Sequence, residues 1–154
     1  MNPYVRINTM RQKNSFTLVE IMIVVAIVVV LVSLAVPNFL RSRITANENA
    51  VIVCLRTINN AFQIYYQSNK TYPASLADLT EPVSIPPYLN STLASGKKHG
   101  YELIYKFIDS EHFSLNANPL SVGRTGVRYF YIDETGVIRA NSNQQAGPND
   151  EQIS

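Results

Sequence analysis

Between positions 16 and 36 the chain is apolar at every residue except Thr17, Glu20 and Ser33. About 21 residues in a helix span roughly 30 Å, the thickness of a bilayer's hydrocarbon core. Many of them are β-branched, which in water favours a strand. In lipid, the need to pair every backbone N–H and C=O within one segment overrides that preference and dictates a helix. The run is too long for the apolar core of an ordinary secretory signal, and Ala35-Val36-Pro37 is a poor cleavage site. The sequence therefore predicts a retained membrane helix. Residues 1–15 carry Arg6, Arg11 and Lys13 and no acid, which places the N-terminus in the cytoplasm and the rest of the chain outside. Arg41 and Arg43 weaken this asymmetry, and Glu48 adds little to it.

After Pro37, a helix breaker that membrane helices accommodate with a kink, the pattern changes. Leu40, Ile44, Val51, Leu55, Ile58, Phe62 and Tyr65 recur at spacings of three, four or seven, with Arg43, Asn47, Asn59, Asn60 and Gln63 between them. This predicts an amphipathic continuation of the helix over 37–68, one face wet and one packed on a sheet. Cys54 adjoins that stripe as a small buried apolar residue. Ser75-Leu76-Ala77-Asp78 has the form of a capping box, and 81–100, with three prolines, reads as a loop with a turn of helix near 90–94. Strands are expected at 101–107, 112–117, 127–132 and 137–140, with turns at 109–111 and 133–136 where Gly136 can adopt a left-handed conformation. Residues 141–154 are polar and read as a flexible tail. The fold class is thus α+β, a long N-terminal helix packed on a small antiparallel sheet of about four strands. The globular head covers 69–140.

Composition removes several functions. A net charge of +2 with no basic run gives no indication of nucleic-acid binding. The lone Cys54 rules out an internal disulfide, and His99 and His112 lie far from it, in neither a triad nor a metal spacing. Gly96 and Gly100 follow no strand, so they form no nucleotide loop. Asp109, Glu111, Asp133 and Glu134 could meet at two turns, but solvated turn acids are commoner, and calcium needs more oxygens. No catalytic residue, metal or cofactor is expected.

Glu20 remains to be explained. A carboxylate at the bilayer centre costs roughly 2.5–3.5 kcal/mol, less near an interface, and implies a partner. Its surroundings, Arg11-Gln12-Lys13-Asn14-Ser15-Phe16-Thr17-Leu18-Val19-Glu20, resemble the processing site of type IV prepilins and pseudopilins. Counted from Phe16, Glu20 is the fifth residue and Pro37 the twenty-second, as in that family, and Phe39 falls where another aromatic is frequent. The resemblance implies removal of the leader 1–15 by a prepilin peptidase, with cleavage between Ser15 and Phe16 and N-methylation of Phe16. Ser15 stands where the family usually has glycine, and Met10 offers a shorter leader. The resemblance also implies that Glu20 of one subunit meets the Phe16 amine of a neighbour during filament assembly, with Pro37 part of the same assembly helix.

The segments around Tyr72-Pro73 and from Ala117 to Arg139 are similar to head regions of the same family. Its C-terminal cysteine pair and the Asp-Pro-Trp-Gly motif of its calcium-binding members are missing. The implied partners are a homo- or hetero-oligomeric pilin filament and an inner-membrane assembly platform. The implied location is the inner membrane as a single-pass precursor, then a cell-surface pilus or a periplasmic pseudopilus. A pilus subunit leads, with a pseudopilin of a secretion or DNA-uptake machine next. A single-pass membrane protein that never polymerises is the rival from another class.

Overall fold

A computed structural model describes residues 16–153; the leader, including Ser15, Lys13 and Met10, lies outside the described residues. The chain divides between Asn38 and Phe39 into two compact units. Helix α1 (Leu18–Asn69) enters both. It starts where Thr17 caps it: Glu20 N–H donates to Thr17 Oγ1 at 3.2 Å and Ile21 N–H to the Thr17 carbonyl at 3.3 Å. It stays helical through Pro37. Proline has no N–H to offer the Ser33 carbonyl.

In the first unit α1 is long and apolar enough to cross a membrane, and its apolar stretch is unburied. Every large apolar residue from Phe16 to Val36 is 49–76% exposed. In the second unit α1 buries one stripe, at Glu48, Val51, Cys54, Leu55, Ile58, Ala61 and Phe62. The spacing of three and four puts these on one face. Leu40 and Ile44, expected on that stripe, are outside the core, and Tyr65 packs on its margin.

The stripe lies on a six-stranded antiparallel meander: β1 (Lys97–Lys98), β2 (Tyr101–Phe107), β3 (Phe113–Pro119), β4 (Tyr129–Asp133), β5 (Arg139–Asn141) and β6 (Glu151–Gln152), in that spatial order. Leu103 opposes Ala117, Leu115 opposes Ile132 and Ala117 opposes Phe130, so alternate residues of three strands face the helix. Phe62 meets Phe113 edge-on at 4.7 Å, and Tyr72 meets Phe113 at 4.6 Å. Such pairs add about 0.5–1.5 kcal/mol beyond their burial.

The expected α+β class stands, with six strands rather than about four. The two additional strands are two polar residues each, too short for alternation to register. Residues 141–153, read as a tail, return to the sheet instead of fraying. Ile153 N–H donates to the Ile138 carbonyl, and Asp150 accepts from Asn141 Nδ2 and Gly147 N–H. Buried Asn116 of β3 donates to the Ala146 carbonyl at 2.8 Å. These are polar contacts, so polarity alone misread the segment. The short turn Leu76–Leu79 and helix α2 (Ser91–Ala94) sit where expected. Asp78 Oδ2 accepts from Ser75 N–H and Asn90 Oδ1 from Thr92 N–H.

Helix α1 ends on Lys70, whose φ of 58° is left-handed, with its N–H donating to the Tyr66 carbonyl. Glycine usually occupies this position, because a Cβ costs energy there. Lys70→Gly is therefore expected to raise stability by about 0.5–1 kcal/mol. Urea titration of the full chain in detergent, followed by tyrosine circular dichroism, measures it.

Candidate functional site

Phe16, Thr17 and Glu20 cluster at the start of α1. Phe16 is 74% exposed and Glu20 is also on the surface. Glu20 stands in the first helical turn, where the free N–H groups and the helix dipole favour a negative charge. Its backbone N–H is used by the Thr17 cap, while its carboxylate makes no hydrogen bond or ion pair among the described residues. Around it are Leu18, Val19, Ile21, Met22, Ile23 and Val24, all exposed. Pro37 is 17 positions further on, about 25 Å along a helix, so within one chain it does not join the Phe16–Glu20 cluster. Ser15 cannot be placed beside them, being outside the described residues.

A second carboxylate on α1, Glu48, has the opposite surroundings. It is buried on the apolar stripe, three and seven residues before Val51 and Leu55. The loop between β3 and β4 surrounds it. Glu48 Oε1 accepts from Val127 N–H at 2.9 Å and Arg128 N–H at 3.1 Å, and Oε2 accepts from Arg128 Nε at 2.8 Å. Burial disfavours the charge. The bond from Val127 N–H, the two bonds from Arg128 and its positive charge together outweigh burial and hold Glu48 below its ordinary value of 4.5.

The same loop is fixed at two more points. Asn47 Nδ2 donates to the Thr125 carbonyl at 2.9 Å. Tyr101, fully buried, donates its hydroxyl to the Arg128 carbonyl at 2.9 Å. Burial, then the Glu48 charge, pushes the Tyr101 hydroxyl far up, so it remains a donor. Gly126 makes room for it: a Cβ there would lie 1.9 Å from the Tyr101 oxygen.

Sequence reading missed this clamp. The signal was present, since 48 continues the series 51, 55, 58 and 62, and a carboxylate at a stripe position demands a partner. The partner, Arg128, is 80 residues away and carries no local sign of its role.

The histidines and turn acids fall elsewhere. His112 Nδ1 lies 2.8 Å from Asp109 Oδ1 on the exposed β2–β3 turn, which raises the histidine's pKa. Asp133 is buried and accepts from the Thr135 N–H and hydroxyl. Among the described residues no group of three or more His, Cys, Asp or Glu is placed to hold a metal.

With this geometry in view, comparison with known proteins is informative. The prokaryotic N-terminal methylation motif matches residues 10–36. The type II secretion system core protein G of Escherichia coli is 33% identical over 93 residues, covering 58% of this chain and 61% of that protein. Its counterpart in Vibrio cholerae is 34% identical over 77 residues, covering 50% and 53%. The match thus takes in less than two thirds of either relative. The type IV wide pilus major component of Thermus thermophilus is 30% identical over 97 residues, covering 62% of this chain and 74% of that protein. The chain belongs to the type IV pilin-like family.

Two outcomes test the clamp. Glu48→Gln is expected to destabilise the chain by about 1.5–3 kcal/mol at neutral pH, since it weakens charge-assisted bonds. The Glu48 contribution is present above pH 4.5 and fades as pH falls through its depressed folded value. The difference from wild type should therefore shrink in acid, which urea melts at several pH values would show. Gly126→Ala is expected to cost about 2–4 kcal/mol by displacing Tyr101, read as an early loss of tyrosine circular dichroism on denaturation.

Proposed function

We propose that the chain is a structural subunit of a type IV pilus-like filament, assembled through the apolar part of α1. The observation that carries this is the pairing of an all-round exposed apolar helix with a carboxylate that has no partner among the described residues. Such a surface is unstable in water. It suits lipid first and a bundle of identical helices afterwards.

On this reading the precursor sits in the inner membrane with residues 1–15 in the cytoplasm. A prepilin peptidase cuts between Ser15 and Phe16 and methylates the new amine. Extraction by an inner-membrane assembly platform then brings Glu20 of one subunit to the Phe16 amine of its neighbour. In a low-dielectric bundle an unpaired charge is expensive and a paired one tolerable, so the pair acts as a register device more than as a source of net stability. Thr17 supports it by fixing the first turn that carries Glu20. Pro37 belongs to the assembly helix, at a point where one backbone bond is absent. The role is structural rather than catalytic.

The Thermus relative's description as a wide pilus major component supports a surface pilus. The relatives named as type II secretion core protein G support the alternative, a periplasmic pseudopilus.

Glu20→Ala is expected to be cut and methylated normally but to leave no filaments. Intact mass of the membrane-extracted chain, together with electron microscopy of sheared material, tests this. Normal filaments from that variant would contradict the proposal and favour a static anchor. Wild-type chain starting at methylated Phe16 in the sheared fraction would favour a pilus. The same chain confined to the periplasm would favour a pseudopilus.

A further inference from the structure

The second unit contains a basic pocket whose two arginines are used neither by the clamp nor by the apolar part of α1. It has a volume of 280 Å³ and is lined by Leu40 and Arg43 of α1 and by Ser121, Arg124 and Thr125 of the β3–β4 loop. Two guanidiniums and two hydroxyls meet there beside one apolar side chain, and no acid lines the pocket. The three ion pairs among the described residues, Arg128–Glu48, Lys97–Glu102 and His112–Asp109, include neither Arg43 nor Arg124. Both arginines are exposed, and among the described residues neither side chain makes a hydrogen bond, so the fold leaves their charge unused.

The backbone that presents Arg124 is nevertheless firmly built. Thr125 Oγ1 accepts from Ser121 N–H at 3.0 Å and donates to the Ser121 carbonyl. Arg124 N–H donates to the Ser121 carbonyl, and Gly123 N–H to the Gly126 carbonyl. Asn47, one turn of α1 beyond Arg43, ties the Thr125 carbonyl to the helix.

Arginine's planar fork suits a phosphate bidentately, and the Ser121 hydroxyl can add a further donor, the Thr125 proton being held by the Ser121 carbonyl. The volume is at the small end for ligand sites and fits a head group better than a larger metabolite. The sequence supplies the source. Leu40 and Arg43 follow the last residue of the apolar run, Val36, by four and seven positions. Basic side chains just past a span reach back to the head-group level while their stems stay in apolar surroundings.

We propose that this pocket binds the phosphate of an anionic phospholipid on the non-cytoplasmic face, with Leu40 against the acyl–glycerol boundary. The inference rests on the membrane reading above. It makes the pocket a second attachment of the unassembled subunit, one that extraction into a filament must release.

The test uses the full chain in nanodiscs of phosphatidylcholine with and without phosphatidylglycerol. After release into detergent, native mass spectrometry reads the lipid that stays bound. Wild type is expected to retain phosphatidylglycerol in preference to phosphatidylcholine. Arg43→Gln and Arg124→Gln should each lower that retention about fivefold, from about 1 kcal/mol per basic residue at an anionic surface. Arg41→Gln, outside the pocket, should leave it unchanged. Unchanged tyrosine circular dichroism would show the variants folded.

Equal retention by the double variant would overturn the proposal, as would an equal loss in Arg41→Gln, which indicates diffuse surface charge. Displacement of the lipid by an equal concentration of inorganic phosphate would assign the pocket to a free anion and overturn the lipid source. Loss of subunit pairing with unchanged lipid retention in the double variant would assign the arginines to a neighbouring copy instead. A chain that enters neither nanodisc overturns the membrane reading itself, and this one with it.

Discussion

A carboxylate on an apolar surface calls for a cation or several N–H donors, and α1 carries two carboxylates, Glu20 and Glu48. Glu48 finds both within its own chain, from Val127 and Arg128. Glu20 has neither among the described residues. The contrast separates what folding completes from what it leaves open. Where α1 meets the sheet, the charge is satisfied and the stripe around it is buried. Where α1 is exposed all round, Glu20 has no such shell among the described residues, and on the reading proposed above another molecule supplies it.

Magnitudes decide how these two halves behave. Insertion of the apolar run into lipid yields about 0.3–0.6 kcal/mol for each Leu, Ile, Phe or Val, or roughly 5–9 kcal/mol in all. A carboxylate subtracts roughly 2.5–3.5 kcal/mol at most. On these magnitudes the carboxylate does not outweigh the apolar run, which fits the proposed reading in which Glu20 affects specificity more than anchoring. In the second unit the aromatic contacts of Phe62, Tyr72, Tyr105 and Phe113 and the stripe from Val51 to Phe62 form a core of their own. The Glu48 clamp fixes the β3–β4 loop on the helix, and the same loop presents Arg124.

Much of this was legible in the sequence, for physical reasons that differ by region. The apolar run and the helical stripe are periodic, and period is what a sequence displays best. Strand β2 was read to the residue, because aromatic and branched apolar residues dominate Tyr101–Phe107, with Glu102 and Lys106 giving a partial alternation. The spacing of Phe16, Glu20 and Pro37 carried the resemblance to a family whose N-terminal methylation motif matches residues 10–36. What failed was non-local or polar. Strands β1 and β6 have no apolar alternation, and residues 141–153 fold back through side-chain amides and a carboxylate that look like a tail in isolation. Arg128 gives no local sign that it answers Glu48. Leu40 and Ile44 continue the apolar spacing in sequence, yet the core begins only at Val51. Spacing alone does not say where the sheet stops.

The central claim is that Glu20 is completed by a different copy of the chain. Filaments assembled from a mixture of two labelled populations test it most directly, one with ¹³C-glutamate and the other with ¹⁵N-phenylalanine. Solid-state NMR then reads carboxylate–amine proximity that can arise only between chains. The account predicts a contact between the Glu20 carboxylate and the Phe16 amine in the mixed filament. Its absence there, with a contact seen only when both labels share one chain, would contradict it.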